Sequence, residues 1–296
     1  SVRALVLISE IYSGEHKNDS SLKFDGETIR NPLNNREKAV QVLSQGVEIA
    51  HNIKDHGSKL SALVILADGY AKAGQKEKAS KLLAQALTIS KMIEKESRDS
   101  HLEGIAEKYA ETRQFTRALE VVEKIEDRWY KIRALIQIAK NFSDTGQEEK
   151  AVMTLNRGLE IAKTLDDYKY NSRALAWIAG GYIKTGEKET ALELLSSALK
   201  MSKMIEEKNE RDYILESIAN HYVEVGQLIK ALEVAESMNL NYPRANVLIE
   251  IADSFSQSGE KVSDEGLALL RKIVRKISPT QKSYFEIIKK FREALI

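Results

Sequence analysis

Apolar and polar positions along this chain follow a helical period, and the whole pattern returns every 33 to 40 residues. Residues 62–93 show one unit. Leu63, Leu66, Ala67 and Tyr70 fall at i, i+3, i+4 and i+7, on one face of a predicted helix. Gly74 ends that helix, because glycine accepts the left-handed backbone of a C-terminal cap. Ala79, Leu82, Leu83, Ala86 and Leu87 mark the inner face of a second helix. Ala67 and Ala79 are small because two helices approach closely only where side chains nearly vanish. The key small residue recurs at Ala106, Ala139, Ala179, Ala219 and Ala252, and an aromatic follows three residues later at Tyr109, Phe142, Tyr182, Tyr222 and Phe255. Gly146, Gly186, Gly226 and Gly259 repeat the cap, with Arg113 the exception, and Ala118, Ala151, Ala191 and Ala231 repeat the second alanine. The pattern predicts an all-α stack of about seven antiparallel helix pairs over residues 1–278.

A longer period lies above this one. Ala39 and Ala151 are 112 residues apart, as are Ala79 and Ala191, so the array reads as a duplicated three-repeat block, long-long-short. Each short copy ends its second helix early, near Ile125 and near Met238. Trp129, Tyr130 and Tyr242 follow these ends, either as ligand anchors or, on burial statistics, as fillers of the gap left by missing turns. Two stretches break the pattern. Residues 14–34 are a polar, turn-rich insertion in the first repeat, functional or disordered, with a short hairpin at Asp25-Gly26. Pro279 opens a last helix, residues 280–295 within a 279–296 segment, which caps the stack.

Composition removes several classes of function. With 45 basic and 44 acidic residues the chain carries no global field toward nucleic acid or an anionic membrane. Zero cysteine excludes disulfides and thiolate chemistry, fits a reducing compartment, and with no signal-peptide pattern leads to the expectation of a cytoplasmic location. No phosphate-cradling loop, zinc-protease motif or nucleophile elbow occurs, so neither catalysis nor a cofactor is expected. The five histidines are scattered, and His51 and His56 do not share a helix face, so no metal site is expected. The first helix begins at once at Ser1, which reads as a trimmed or processed piece of a longer protein.

Leu63, Leu66, Ala67, Tyr70, Gly74, Ala79, Leu83 and Ala86 together resemble the tetratricopeptide repeat, here in a variant extended to 39–40 residues in most copies. The resemblance implies a right-handed α-solenoid whose first helices line a concave groove. The implied groove positions are Val6 and Glu10, Val64 and Asp68, Glu103 and Glu107, Ile136 and Lys140, Ala176 and Gly180, Glu216 and Asn220, and Ile249 and Asp253. Six acids stand there against one base, a bias that would attract a basic segment. The alternative is that these acids pair with bases on adjacent repeats, for which Arg3, Arg133 and Arg173 are placed. Trp177, Ile183 and Tyr213 join as apolar anchors, although Trp177 fits the core equally well. Val64, Ile65 and Asp68 stand where one variant of the family clamps a C-terminal carboxylate, so that clamp is not expected.

The expected function is a non-enzymatic scaffold that holds a peptide or helix of another protein in the groove. On that reading Glu103→Lys with Glu107→Lys weakens capture and leaves melting unchanged. A sensor or regulatory domain of a larger protein is the alternative. RNA binding fits the helix pairs but not the acidic groove. Oligomerisation by stacking of the terminal faces stays open.

Overall fold

The computed structural model describes residues 32–258, 263–275 and 289. Among the described residues there are thirteen helices and no strand. They are α1 (Pro32–His51), α2 (His56–Lys72), α3 (Lys76–Ser90), α4 (Lys95–Glu111), α5 (Phe115–Val122), α6 (Arg128–Asp144), α7 (Glu148–Ala162), α8 (Tyr168–Lys184), α9 (Lys188–Ser202), α10 (Lys208–Glu224), α11 (Leu228–Ser237), α12 (Asn241–Ser258) and α13 (Asp264–Val274). Helix α1 opens at Pro32, so the last positions of the 14–34 insertion are helical. The hairpin at Asp25-Gly26, the first helix with Arg3, Val6 and Glu10, and the C-terminal helix, apart from Lys289, lie outside the described residues.

The contacts divide the chain between Asn141 and Phe142, inside α6, into two compact units. In the first unit α2 pairs with α3 and α4 with α5, α1 rests on α2, and the hairpins join through α2·α4 and α3·α4. In the second, α8 pairs with α9 and α10 with α11; α8, α10 and α12 stand in file, and α7·α8, α9·α10, α11·α12 and α11·α13 complete the packing. The first helices of successive repeats are therefore neighbours within each unit.

The repeat pattern explains this packing residue by residue. Ala67 and Ala79 are fully buried, as are Ala106 and Ala118, Ala179 and Ala191, and Ala219 and Ala231. The six aromatic rings at the fixed register are also buried. A cation on the following helix covers four of them: Lys78 over Tyr70 at 5.4 Å, Arg117 over Tyr109 at 6.0 Å, Lys150 over Phe142 at 5.9 Å and Lys230 over Tyr222 at 5.7 Å. Tyr182 instead donates its hydroxyl to Asn156 Oδ1 at 2.6 Å. At the caps, Gly74, Gly146, Gly186 and Gly226 take φ of 71–87°, and Arg113 is forced to φ 64° in the same slot.

The second helix has 15 residues in α3, α7 and α9 but 8 in α5 and 10 in α11. A buried carboxylate repairs each early end. Asp99 accepts from the backbone N–H groups of Glu126 (3.1 Å) and Asp127 (2.6 Å). Asp212, wholly buried, accepts from the N–H groups of Asn239 and Leu240, both at 2.6 Å. Buried Arg244 adds donors to the carbonyls of Ala235 and Met238 at the end of α11. The space itself is filled by Ile125 and Met238, 1% and 2% exposed. Tyr242 is not the expected filler: it is 70% exposed, while Trp129 and Tyr130 are half-buried.

Candidate partner-binding faces

Each unit presents a face built from its first helices. On the first unit, the groove acids find cations within the fold. Asp68 on α2 meets Lys108 of α4 at 3.1 Å and Lys72 at 3.0 Å, and Lys108 also reaches Glu111 at 2.8 Å. Burial opposes ionisation of Asp68, but the two lysines outweigh it and hold the carboxyl below its ordinary range. Glu103 on α4 is 7% exposed, and its Oε1 lies 2.9 Å from Arg133 Nε on α6. Burial raises this carboxyl to about 7; Arg133 pulls it down in part and Glu107 pushes it up. Burial likewise raises Glu107, which is half-buried. Lys140 is exposed. Asp68, Glu103, Glu107 and Glu111 thus stand with Lys72, Lys108, Arg133 and Lys140, and the first face is not dominated by acid.

This arrangement corrects one expectation. Glu103→Lys would set an ammonium beside the Arg133 guanidinium in a buried position, so the Glu103→Lys, Glu107→Lys pair would not leave melting unchanged.

The second face is different. Glu216 Oε1 on α10 accepts from Asn246 Nδ2 of α12 at 2.7 Å. Asn220 Oδ1 is buried and has no hydrogen-bond partner among the described residues. His221 Nδ1 lies 3.2 Å from Glu224 Oε2, a contact that holds the Glu224 carboxyl low against burial. The His221 ring rests against Gly180 of α8, where a Cβ would come within 2.5 Å of it. Tyr213, 53% exposed, stands a turn before Glu216. Tyr213, Glu216, Ser217, Asn220, His221 and Glu224, all on α10, line a cleft of about 340 Å³. Trp177 and Ile183 of α8 and Asp253 of α12 are half-buried on the same file of helices. Arg173 pairs with Glu210 at 2.9 Å, as Lys169 does at 3.7 Å.

The sequence reading missed the two carboxylate clamps. Their signal is the dipeptide Arg98-Asp99, which returns as Arg211-Asp212 ahead of each short second helix. Among the described residues no three His, Asp or Glu side chains are grouped as a metal site would need, and no helix is long and apolar enough to cross a membrane.

The sequence matches no protein-family model and no curated protein. The structure is similar to solved helical-repeat proteins. The nearly identical tetratricopeptide-like repeats of a putative kinesin light chain from Podosopora anserina align at 23% identity over 70% of this chain and 97% of that one, with a TM-score of 0.38. A protein from Thermococcus onnurineus aligns at 17% identity over 98% of this chain and 90% of that one, with a TM-score of 0.39. A signal-transduction ATPase with numerous domains and a tetratricopeptide repeat sensor, from Pyrococcus horikoshii, aligns at 18% identity with a TM-score of 0.45; this chain spans 48% of its length and is covered over 99% of its own.

Proposed function

We propose that the chain is a non-enzymatic interaction module, and that it holds a segment of a partner protein on the face formed by α8, α10 and α12. The observation that carries this reading is the polar imbalance of the cleft on α10. Its lining includes an exposed tyrosine and two carboxylates, one of them in contact with His221, and no lysine or arginine. Two carboxylates with no lysine or arginine beside them favour a cationic segment of a partner. Tyrosine supplies rigid contact area, and truncating such a hot spot typically costs ~2 kcal/mol or more of binding. The first face, whose acids already hold internal cations, offers less to a charged partner.

The test is affinity capture from native extract with the wild-type chain and Tyr213→Ala, an exposed position whose truncation spares the core. A partner retained by the wild type and depleted about tenfold or more by the variant is the expected result. Equal retention of every partner by both baits removes the site from this face.

A further inference from the structure

The duplication provides an internal control for the second face. Glu103 and Glu216 occupy the same register in the two blocks, three residues before the key alanines Ala106 and Ala219. In the first block the next helix supplies Arg133, which pairs with Glu103. The equivalent residue in the second block is Asn246, six residues before Ala252 as Arg133 is six before Ala139. Glu216 therefore receives a neutral amide where Glu103 receives a guanidinium. A second cation is gone as well. Lys108, which ties Asp68 to Glu111, is replaced in register by His221, and Asp68 by Gly180. The second block keeps Glu111 as Glu224 and places Asn220 where Glu107 stood, with its Oδ1 unsatisfied. It also gains Tyr213 where the first block has Ser100.

We infer that the cleft on α10 is a receptor for an arginine side chain of the partner, whose guanidinium takes the role that Arg133 fills internally in the first block. The occupant follows from the groups present. A guanidinium has five donors and no acceptor, which suits a cleft lined by the Glu216 and Glu224 carboxylates with no lysine or arginine among its residues. Its flat face stacks on an exposed phenol ring such as Tyr213. This deepens the partner-binding reading and rests on it.

The experiment is an NMR titration of the full chain with N-acetyl-arginine methylamide, following the side-chain amide signals of Asn220 and Asn246. The citrulline counterpart, alike in shape but uncharged, is the control. Saturable shifts at both amides are expected, with citrulline at least about tenfold weaker, as for loss of a charge-assisted contact. Glu216→Gln should weaken arginine binding by a similar factor. Asn246→Arg should restore the internal pair of the first block and close the cleft, and unchanged helical circular dichroism verifies its folding. No shift at Asn220 and Asn246, or equal response to citrulline, overturns the proposal. If that happens while Tyr213→Ala still loses the partner, only the arginine is wrong and the face stands. If capture is also insensitive to Tyr213, both readings fall.

Discussion

Glu103 gives a quantitative handle on the first face. Its carboxyl is raised from 4.5 to about 7, because burial on α4 costs the charged form more than Arg133 returns. The folded state therefore keeps a proton that the unfolded chain has released between those two pH values. Folding binds protons in that window, so stability falls as pH rises from about 4.5 to 7 and levels off outside it. Unscreened, the displacement corresponds to about 3 kcal/mol. Partial access of water to the ion pair reduces this to about 1–2 kcal/mol. Glu103→Gln fixes the neutral form, so the variant should lack this part of the pH slope and be more stable than the wild type at pH 8 by that amount. Urea unfolding at pH 4 and pH 8 measures it, with the fluorescence of Trp129 reporting on the first unit and Trp177 on the second. Because Asp68 and Glu107 titrate in both proteins, the difference between the two profiles is the observable. Parallel profiles, or a variant less stable than the wild type at pH 8, would refute the reasoning and show the Glu103–Arg133 pair to be net stabilising.

The other structural predictions concern the repeat frame. Asp212→Ala should cost about 3 kcal/mol, since it strips the acceptor from the N–H groups of Asn239 and Leu240, and amide hydrogen exchange at those two positions should rise with it. Arg113→Gly should stabilise by about 0.5–1 kcal/mol in urea melts, because the side chain is exposed and the residue sits at φ 64°; a loss of stability would mean the cap slot is not strained.

How much of this was legible in the sequence differs by element. The hairpin frame was, because each unit repeats the same local chemistry: Ala67 and Ala79 at the contact, Tyr70 beside them, Gly74 at the cap. Arg113 stood out as the residue without glycine's freedom and takes the left-handed backbone all the same. The early ends near Ile125 and Met238 were visible as missing register. The face was legible only as a list of residues. Arg133, one of the bases placed to pair with the groove acids, does reach Glu103 from 30 residues away, whereas Lys108, which reaches Asp68 from 40 residues away, was not among them. Such pairing is a property of helix stacking and rotamers, and a single-repeat register does not encode it. Tyr242 departs from the burial expected of an aromatic, and the backbone donors after the short helix are met instead by the Asp212 carboxylate.

The measurement that tests the central claim most directly is site-specific photocrosslinking in native extract. Benzoylphenylalanine would replace Tyr213 on the proposed face and, as a control, Met153 on α7, which is 62% exposed. The account predicts a discrete crosslinked partner from position 213 that is absent from position 153. A partner joined from 153 alone, or equally from both, would contradict it.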